Sequence, residues 1–599
     1  MEQSSVVSLN IEPWRDMHFL STIHFCEHTR RSLSPDGSMA RRVAVIGAGS
    51  SGLTCIKCCL EEGLEPVCFE SSDDIGGLWR FKEIPEPERS STYRSLVTNT
   101  SKEMMCFSDL PMPAHFPNFM HNSQLLQYLQ LYAAHFNLLQ HIHFQTTVLT
   151  VKQRPDFACS GQWEVLTEDR DGLKKIHIFD AVLVCTGHYT KPVMPLKDFP
   201  GFETFKGEYC HSSEYKDPEP YKGKKVMVVG IGNSGGDIAV ELSRVAKKTF
   251  LSTRQGAWVL SRISLKGRPI DMIGVTRLLG LVTLLLPRRL VNWACERELN
   301  QKYDHRLYGL MPKNRFLDQR PLVNDDLPGC ILLGGLVIKP NIQEFQGSNV
   351  VFEDETVEEQ IDTVIFCTGY THNFPFLSTS LFTGPSFNLT LYKHVLPPML
   401  EHPTLAIIGL IEAWGPIMPV VEMQARWATR VISGVIRLPP KEIMLKDVER
   451  ERKRNMKRYP CPKHADLQLE YIPYMDELAN ELGVRPNILR LLLTDPRLGF
   501  SVLFGPCTPY QFRLRGPGKW AGARNAILTV WDRVSKPMMT RVVPEPRPSR
   551  LPKLLVLSTL LVAAIYAGKR HSKLLESPMA ALNNWRMYVP AAVLRVLKI

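Results

Sequence analysis

Apolar residues along this chain gather in short unbroken runs that end in glycine. Residues 42–52 read RVAVIGAGSSG and residues 225–237 read KVMVVGIGNSGGD. Val43–Ile46 and Val226–Val229 are β-like apolar runs, which predicts a strand before each glycine loop. Helical sequence follows each: LTCIKCCLEEG after the first and DIAVELSRVAKK after the second. The glycines fall at 47, 49 and 52, and again at 230, 232 and 235, so GxGxxG occurs twice, each time between a predicted strand and a predicted helix. A single such match is weak. Two in that context, about 180 residues apart, predict an α/β chain with two Rossmann-type dinucleotide-binding units.

A second pattern ties the two units together. Residues 180–189, DAVLVCTGHY, and 362–370, DTVIFCTGY, are apolar runs ending in Cys-Thr-Gly. They bracket the second unit, which predicts one domain inserted into the other with these runs near the crossings. The stretch 256–325 reads as a helical insertion in the inner domain. The turn-rich GPCTPYQFRLRGPGKW belongs to a packed extension over 481–550.

The strand after a Rossmann helix ends beside the nucleotide's ribose, where a carboxylate suits a free 2′-hydroxyl and a cation suits a 2′-phosphate. Eighteen residues after Gly52 stands Glu70; eighteen after Gly235 stands Thr253, followed by Arg254. The first unit therefore calls for FAD or NAD, and the second for NADP, since a guanidinium grips a phosphate that a carboxylate repels. A solvated surface arginine is the plain alternative for Arg254. The glycines of GGLWRF, 76–81, permit close backbone approach to a bulky ligand.

Charge and composition narrow the partners. The net charge of +12 suits an anionic partner, but no basic helix, zinc spacing or RNP-like stretch supports nucleic acid. Fourteen scattered cysteines fit a reducing compartment. Cys55, Cys58 and Cys59 lie on the first predicted helix, where packing accounts for them better than metal or redox chemistry. Residues 1–38 have no signal-peptide pattern and read as a flexible leader. Residues 554–567, LLVLSTLLVAAIYA, are uncharged and flanked by basic residues. As a helix this run reaches only about 21 Å, which predicts a membrane anchor over 551–570 with snorkelling flanks rather than a comfortable span. A buried C-terminal helix is the alternative. A second run, LLGLVTLLLP at 278–287, is either a contact with the same bilayer or a buried helix.

Together these motifs resemble the flavin-containing monooxygenases, best the vertebrate microsomal, N-oxide-forming branch. The resemblance runs from about 40 to 567. It rests on GAGSSG with Glu70 and GGLW, on GIGNSGGD, on FKGEYCHSSEYKDP (205–218) as a match to the flavin-monooxygenase fingerprint, on FCTGY (366–370), and on TNTSKEMMCFSD (98–109), similar to the family's active-site loop. It implies an FAD-binding domain over 39–190 resuming at 366–480, an NADP-binding domain over 191–365, and an extra tail over 571–599. It carries FAD contacts to Gly47, Ala48, Gly49, Ser50, Ser51, Gly52, Glu70, Gly77, Leu78 and Trp79. The NADP turn falls on Gly230, Gly232, Ser234, Gly235, Gly236 and Asp237, with Thr253 and Arg254 beyond it. Thr98, Asn99 and Thr100 fall beside the flavin ring and nicotinamide, with Asn99 as the catalytic amide. His211 falls in the fingerprint, where it links domain geometry to turnover or serves as a turn histidine. Asn99 and Asn388 also begin glycosylation sequons, and the absence of a signal peptide favours the active-site reading of Asn99.

The resemblance implies an NADPH- and FAD-dependent enzyme. Its C4a-hydroperoxyflavin passes one oxygen atom of O2 to a soft nucleophile, an amine nitrogen or sulfide sulfur of a small molecule, on the cytosolic face of the endoplasmic reticulum. Baeyer–Villiger oxidation of ketones and an uncoupled NADPH oxidase remain open. So does a non-catalytic, membrane-tethered nucleotide-binding protein, for which the leader, the tail and an altered loop at 412–416 leave room. A flavin disulfide reductase would need a cysteine pair beside the flavin, which the motifs do not supply. Physiological substrate and oligomeric state are not legible.

Overall fold

Both glycine loops hang from the centre of a five-stranded parallel sheet. A computed structural model describes residues 40–86, 89–378, 390–459 and 467–541, so the leader, Asn388, the apolar run 554–567 and the final tail lie outside the described residues. In the first sheet the order is Leu405–Ile407, Ala181–Val184, Arg42–Ile46, Glu65–Phe69, Ile142–His143. In the second it is Leu336–Lys339, Lys248–Ser252, Lys225–Val229, Thr363–Phe366, Glu208–His211.

The unbroken apolar runs have a physical cause, since the strands before the two glycine loops are covered on both faces. In the first sheet Val43 and Val45 face a helical core, while Ala44 and Ile46 face a second cluster. That second cluster is capped by a three-stranded antiparallel sheet, Thr147–Gln153, Trp163–Glu168 and Lys174–Phe179. The second sheet repeats the plan: Val226 and Val228 pack on the helix Asn233–Leu242, and Met227 and Val229 pack under the antiparallel strands of 342–358. Strands that alternate between two dry faces have no polar side to show.

The Cys-Thr-Gly runs are the strands beside the glycine loops. Ala181–Val184 pairs in parallel with the strand before Gly47, and Thr363–Phe366 with the strand before Gly230. Just beyond them Lys191–Pro192 pairs antiparallel with Tyr370–Thr371, so the chain leaves and re-enters the first domain side by side.

Two helical regions complete the fold. Within 256–325 the helices Ile270–Gly274, Arg277–Leu285 and Arg288–Lys302 follow a short strand, Val259–Leu260. The helix Arg277–Leu285 corrects one of the two readings of 278–287: Leu284 is 80% and Leu285 73% exposed, so it is not a buried helix. Among the described residues no helix is long and apolar enough to cross a membrane. The long helix Ile417–Ile432 and the extension after 481 pack on the first sheet's helical face.

Candidate active site

Each loop uses its three glycines for two purposes. A Cβ on Gly47 would stand 2.9 Å from the Cys185 carbonyl oxygen, and one on Gly52 1.8 Å from the Gly47 carbonyl oxygen. In the second loop a Cβ on Gly230 would meet the Cys367 carbonyl oxygen at 2.6 Å, and one on Gly235 the Gly230 carbonyl oxygen at 1.9 Å. These four glycines let loop, helix and neighbouring Cys-Thr-Gly strand touch. The middle glycines differ. A Cβ on Gly232 meets nothing within 4 Å, and one on Gly49 comes no closer than 3.7 Å, to the Gly77 Cα. Both are N-caps without a side-chain cap, at the starts of helices Ser50–Glu61 and Asn233–Leu242. Uncapped N–H groups in open space fit a pyrophosphate.

The positions at the ends of the following strands are in the same register. The Gly47 N–H donates to the Phe69 carbonyl at 2.8 Å and the Gly230 N–H to the Ser252 carbonyl at 3.0 Å, so Glu70 and Thr253 are equivalent. Glu70 is buried. Its Oε1 accepts from the Ser72 N–H and hydroxyl and from Arg89, at 2.8, 2.9 and 3.1 Å, while its Oε2 accepts only the Ala48 N–H, at 2.7 Å. Oε2 keeps a lone pair for a hydroxyl such as a ribose supplies. The Thr253 hydroxyl accepts from the Gly256 N–H at 3.0 Å and shapes the turn. Arg254 is exposed and makes no hydrogen bond or ion pair among the described residues. It is a free guanidinium one residue beyond the position equivalent to Glu70.

The remaining cofactor positions surround these loops. Ala48 is buried, Ser50 and Ser51 open the first helix, and Gly77, Leu78 and Trp79 form a half-buried turn against the loop, with Trp79 on the core. Ser234 is half-buried in the second helix, and Gly236 leaves room for Leu322, whose Cδ1 would stand 2.6 Å from a Cβ there. Asp237 is turned into the protein: its carboxylate accepts from the Tyr93 hydroxyl at 2.6 Å and the Asn324 amide at 2.8 Å. Burial raises its pKa against the pull of those bonds.

Residues 93–101 join the two domains, and here the structure adds residues that no motif signalled. Thr98 is buried, and its N–H donates to the Met120 carbonyl at 2.8 Å. Asn99 and Thr100 are half-buried. Arg262, from the inner domain, donates to the Asn99 amide oxygen at 2.6 Å and to the Thr98 carbonyl at 3.2 Å. Asp271 accepts from the Ser101 N–H and hydroxyl at 2.7 and 2.8 Å; its burial raises its pKa to about 6. Arg262 and Asp271 carry no motif and read in the sequence only as polar residues of the inserted stretch 256–325.

The loop after Ser101 is clamped from below. Ser108 donates its N–H and hydroxyl to Glu422 at 2.7 and 2.5 Å, and Arg513 bonds both Glu422 and Asp109 at 2.8 Å. Lys57, on the helix of the first loop, pairs with the same Asp109. Arg533 pairs with buried Glu103 at 2.7 Å. Pulling these pairs apart would leave buried charges unpaired, so extension and loop are one unit. His211 is buried; its Nε2 donates to the Gly369 carbonyl at 3.1 Å, and its Nδ1 accepts the Ser213 N–H at 3.1 Å. It braces the returning crossover strand, and burial lowers its pKa. Cys55, Cys58 and Cys59 are buried in the core.

Two dinucleotide-binding folds with different residues at matching strand ends, joined by one gripped loop, are the frame of a nicotinamide-reduced flavoprotein. Residues 40–568 match the family described as flavin-binding monooxygenase-like, and the chain belongs to it. It is 53% identical over 526 residues to flavin-containing monooxygenase 5 of Rattus norvegicus, covering 88% of this chain and 98% of that one. It is 52% identical over 505 residues to dimethylaniline monooxygenase [N-oxide-forming] 2 of the same species, covering 84% and 94%. Among solved structures it resembles an S-allyl-L-cysteine S-oxygenase from Allium sativum, with TM-score 0.58, 25% identity and 83% and 99% coverage. A cyclohexanone monooxygenase from Rhodococcus sp. Phi1 bound to NADP+ shares the fold at TM-score 0.54 and 17% identity, with 74% and 97% coverage. The chain is thus a monooxygenase with FAD and NADPH as cofactors.

Proposed function

We propose that this monooxygenase transfers one oxygen atom of O2 to soft nucleophiles, amine nitrogen and sulfide sulfur, in small molecules. NADPH and a proton supply the reducing equivalents, and the second oxygen atom leaves as water. FAD supplies the oxygen chemistry when bound; the protein binds, orients and excludes water. The observation that carries the reading is the equivalence of Glu70 and Thr253 at the ends of matching strands: Glu70 keeps a carboxylate lone pair open, whereas beside Thr253 stands Arg254, a cation without a protein partner among the described residues. In this reading Glu70 holds the flavin nucleotide's ribose, Arg254 selects NADPH, and the Asn99 amide stands at the oxygenating site.

The proposal includes attachment to the cytosolic face of the endoplasmic reticulum. Its support is the apolar run 554–567 between basic residues, and a second feature on the folded part. Leu281, Leu284 and Leu285 are exposed on the helix Arg277–Leu285, which packs against the helix Pro496–Phe504 with its exposed Phe500 and Phe504; the adjoining helix Ile488–Thr494 carries exposed Leu493 and Arg490, and Arg289 is exposed at the start of the helix that follows Leu285. An apolar face with a cationic rim suits an anionic membrane surface.

The test is turnover of FAD-loaded protein under 18O2 with a thioether, a tertiary amine and a ketone as probes. The expected result is 18O-labelled sulfoxide and amine oxide, with NADPH at least about tenfold better than NADH and Arg254→Ala erasing most of that preference. Labelled ester from the ketone would move the reading to Baeyer–Villiger chemistry. Peroxide alone from every probe would sink it.

A further inference from the structure

The oxygen of the Asn99 amide is held by a group that can only donate. Arg262 Nη2 lies 2.6 Å from Asn99 Oδ1, and Arg262 Nε lies 3.2 Å from the Thr98 carbonyl oxygen. A guanidinium has five N–H donors and no acceptor, so the amide must turn its oxygen towards it. The Asn99 Nδ2 group has no protein partner among the described residues. The arginine is itself fixed. Its Nη1 pairs with Asp325 at 3.2 Å, its backbone N–H donates to the same carboxylate at 2.9 Å, and the Ser261 hydroxyl does so at 2.5 Å. Asp325 follows Asn324, which donates to Asp237 on the helix of the second glycine loop at 2.8 Å.

We propose that Arg262 is a positioning residue: it sets which end of the Asn99 amide faces the cofactors, presenting the NH2 donors. An amide is nearly symmetric in shape, and its two orientations offer opposite chemistry, donor or acceptor. Without a neighbour that only donates, both orientations are open and the donor is offered part of the time. Because Arg262 belongs to the inner domain and Asn99 to the outer one, the orientation is imposed only while the domains are in register. The claim rests on the reading of Asn99 as part of the oxygenating site.

Three variants of the full FAD-loaded protein test it: Arg262→Met, of similar length but without donors; Arg262→Lys, with the charge but not the fork; and Asn99→Ala, alone and combined with Arg262→Met. Two quantities are read: the share of NADPH electrons that ends in peroxide with a thioether present, and hydrogen–deuterium exchange of the peptide spanning 93–101. The peroxide share should rise several-fold in Arg262→Met and less in Arg262→Lys. It should not rise further when Arg262→Met is added to Asn99→Ala, because the arginine acts through that side chain. Exchange should quicken several-fold within 93–101 and stay unchanged over 42–61. An Arg262→Met effect that persists undiminished without the amide overturns the proposal, as does normal coupling in Arg262→Met when Asn99→Ala uncouples. Normal coupling in Asn99→Ala itself would instead sink the functional reading of Asn99. Exchange then decides the positioning claim, and unchanged protection over 93–101 ends it. Should Arg262→Met not fold, the same comparisons apply to Arg262→Lys.

Discussion

The short strand Val259–Leu260, two residues before Arg262, depends on a histidine in one tautomer. His305 is fully buried; its Nε2 accepts the Val259 N–H at 3.1 Å and its Nδ1 donates to the Asn300 amide oxygen at 2.9 Å. A protonated ring has two donors and no acceptor, so it would turn an N–H against that of Val259. Burial accordingly lowers its pKa from 6.5 to about 4. The sign follows. Between those values the unfolded chain takes up a proton that the folded chain refuses, so stability is full above about pH 6.5 and falls as pH drops towards 4, by at most about 1.4 kcal/mol per pH unit. His305→Gln keeps an acceptor for Val259 and should flatten thermal unfolding midpoints between pH 7 and 4.5 relative to the unaltered protein. Equal slopes for the two proteins would show that this histidine does not titrate against the fold.

At the scale of elements, the glycine loops separate folding from binding within one motif. Gly232→Ala places a methyl in open space, so the unfolding midpoint should hold within a few degrees while NADP+ binds about tenfold more weakly or worse. Gly235→Ala drives a methyl to 1.9 Å from a backbone oxygen and should destabilise the protein by more than about 3 kcal/mol. Calorimetry and NADP+ titration of both variants check this, and equal stability losses would refute the division. The loops were legible in the sequence because strand, turn and helix in such a unit follow one another within some twenty residues. The two antiparallel sheets were not read, although WEVLTE alternates in the expected way: Trp163, Val165 and Thr167 are buried and the residues between them are not. Arg262, Asp271 and Arg89 left no local trace. Their partners Asn99, Ser101 and Glu70 lie 163, 170 and 19 residues away in the chain, and only the finished fold brings each pair together.

At the scale of the whole molecule, the helix Arg277–Leu285 is anchored at one end and bare along one side. Arg277 is buried and pairs with Asp476 at 2.7 Å, whereas Leu284 stands in solvent. If that side rests on a bilayer, a nitroxide at Leu284→Cys on vesicle-bound protein should be relaxed more by dissolved oxygen than by a water-soluble nickel chelate. The opposite order would place the helix in water. The extension from 481 onward closes the same end of the molecule, and through Arg513 and Arg533 it makes the loop bearing Asn99 depend on residues more than four hundred positions later.

The paired crossover strands, Lys191–Pro192 beside Tyr370–Thr371, carry a mechanical consequence. A domain hung by one strand swivels in any direction; one hung by two adjoining strands behaves as a door on two pins and keeps one easy rotation. Such a rotation would swing Arg262, Asp271 and Asp237 together towards or away from residues 93–101, so the three grips would close and open as a set. The same adjacency lets the host domain accept its guest without stretching, because the two cut ends already meet.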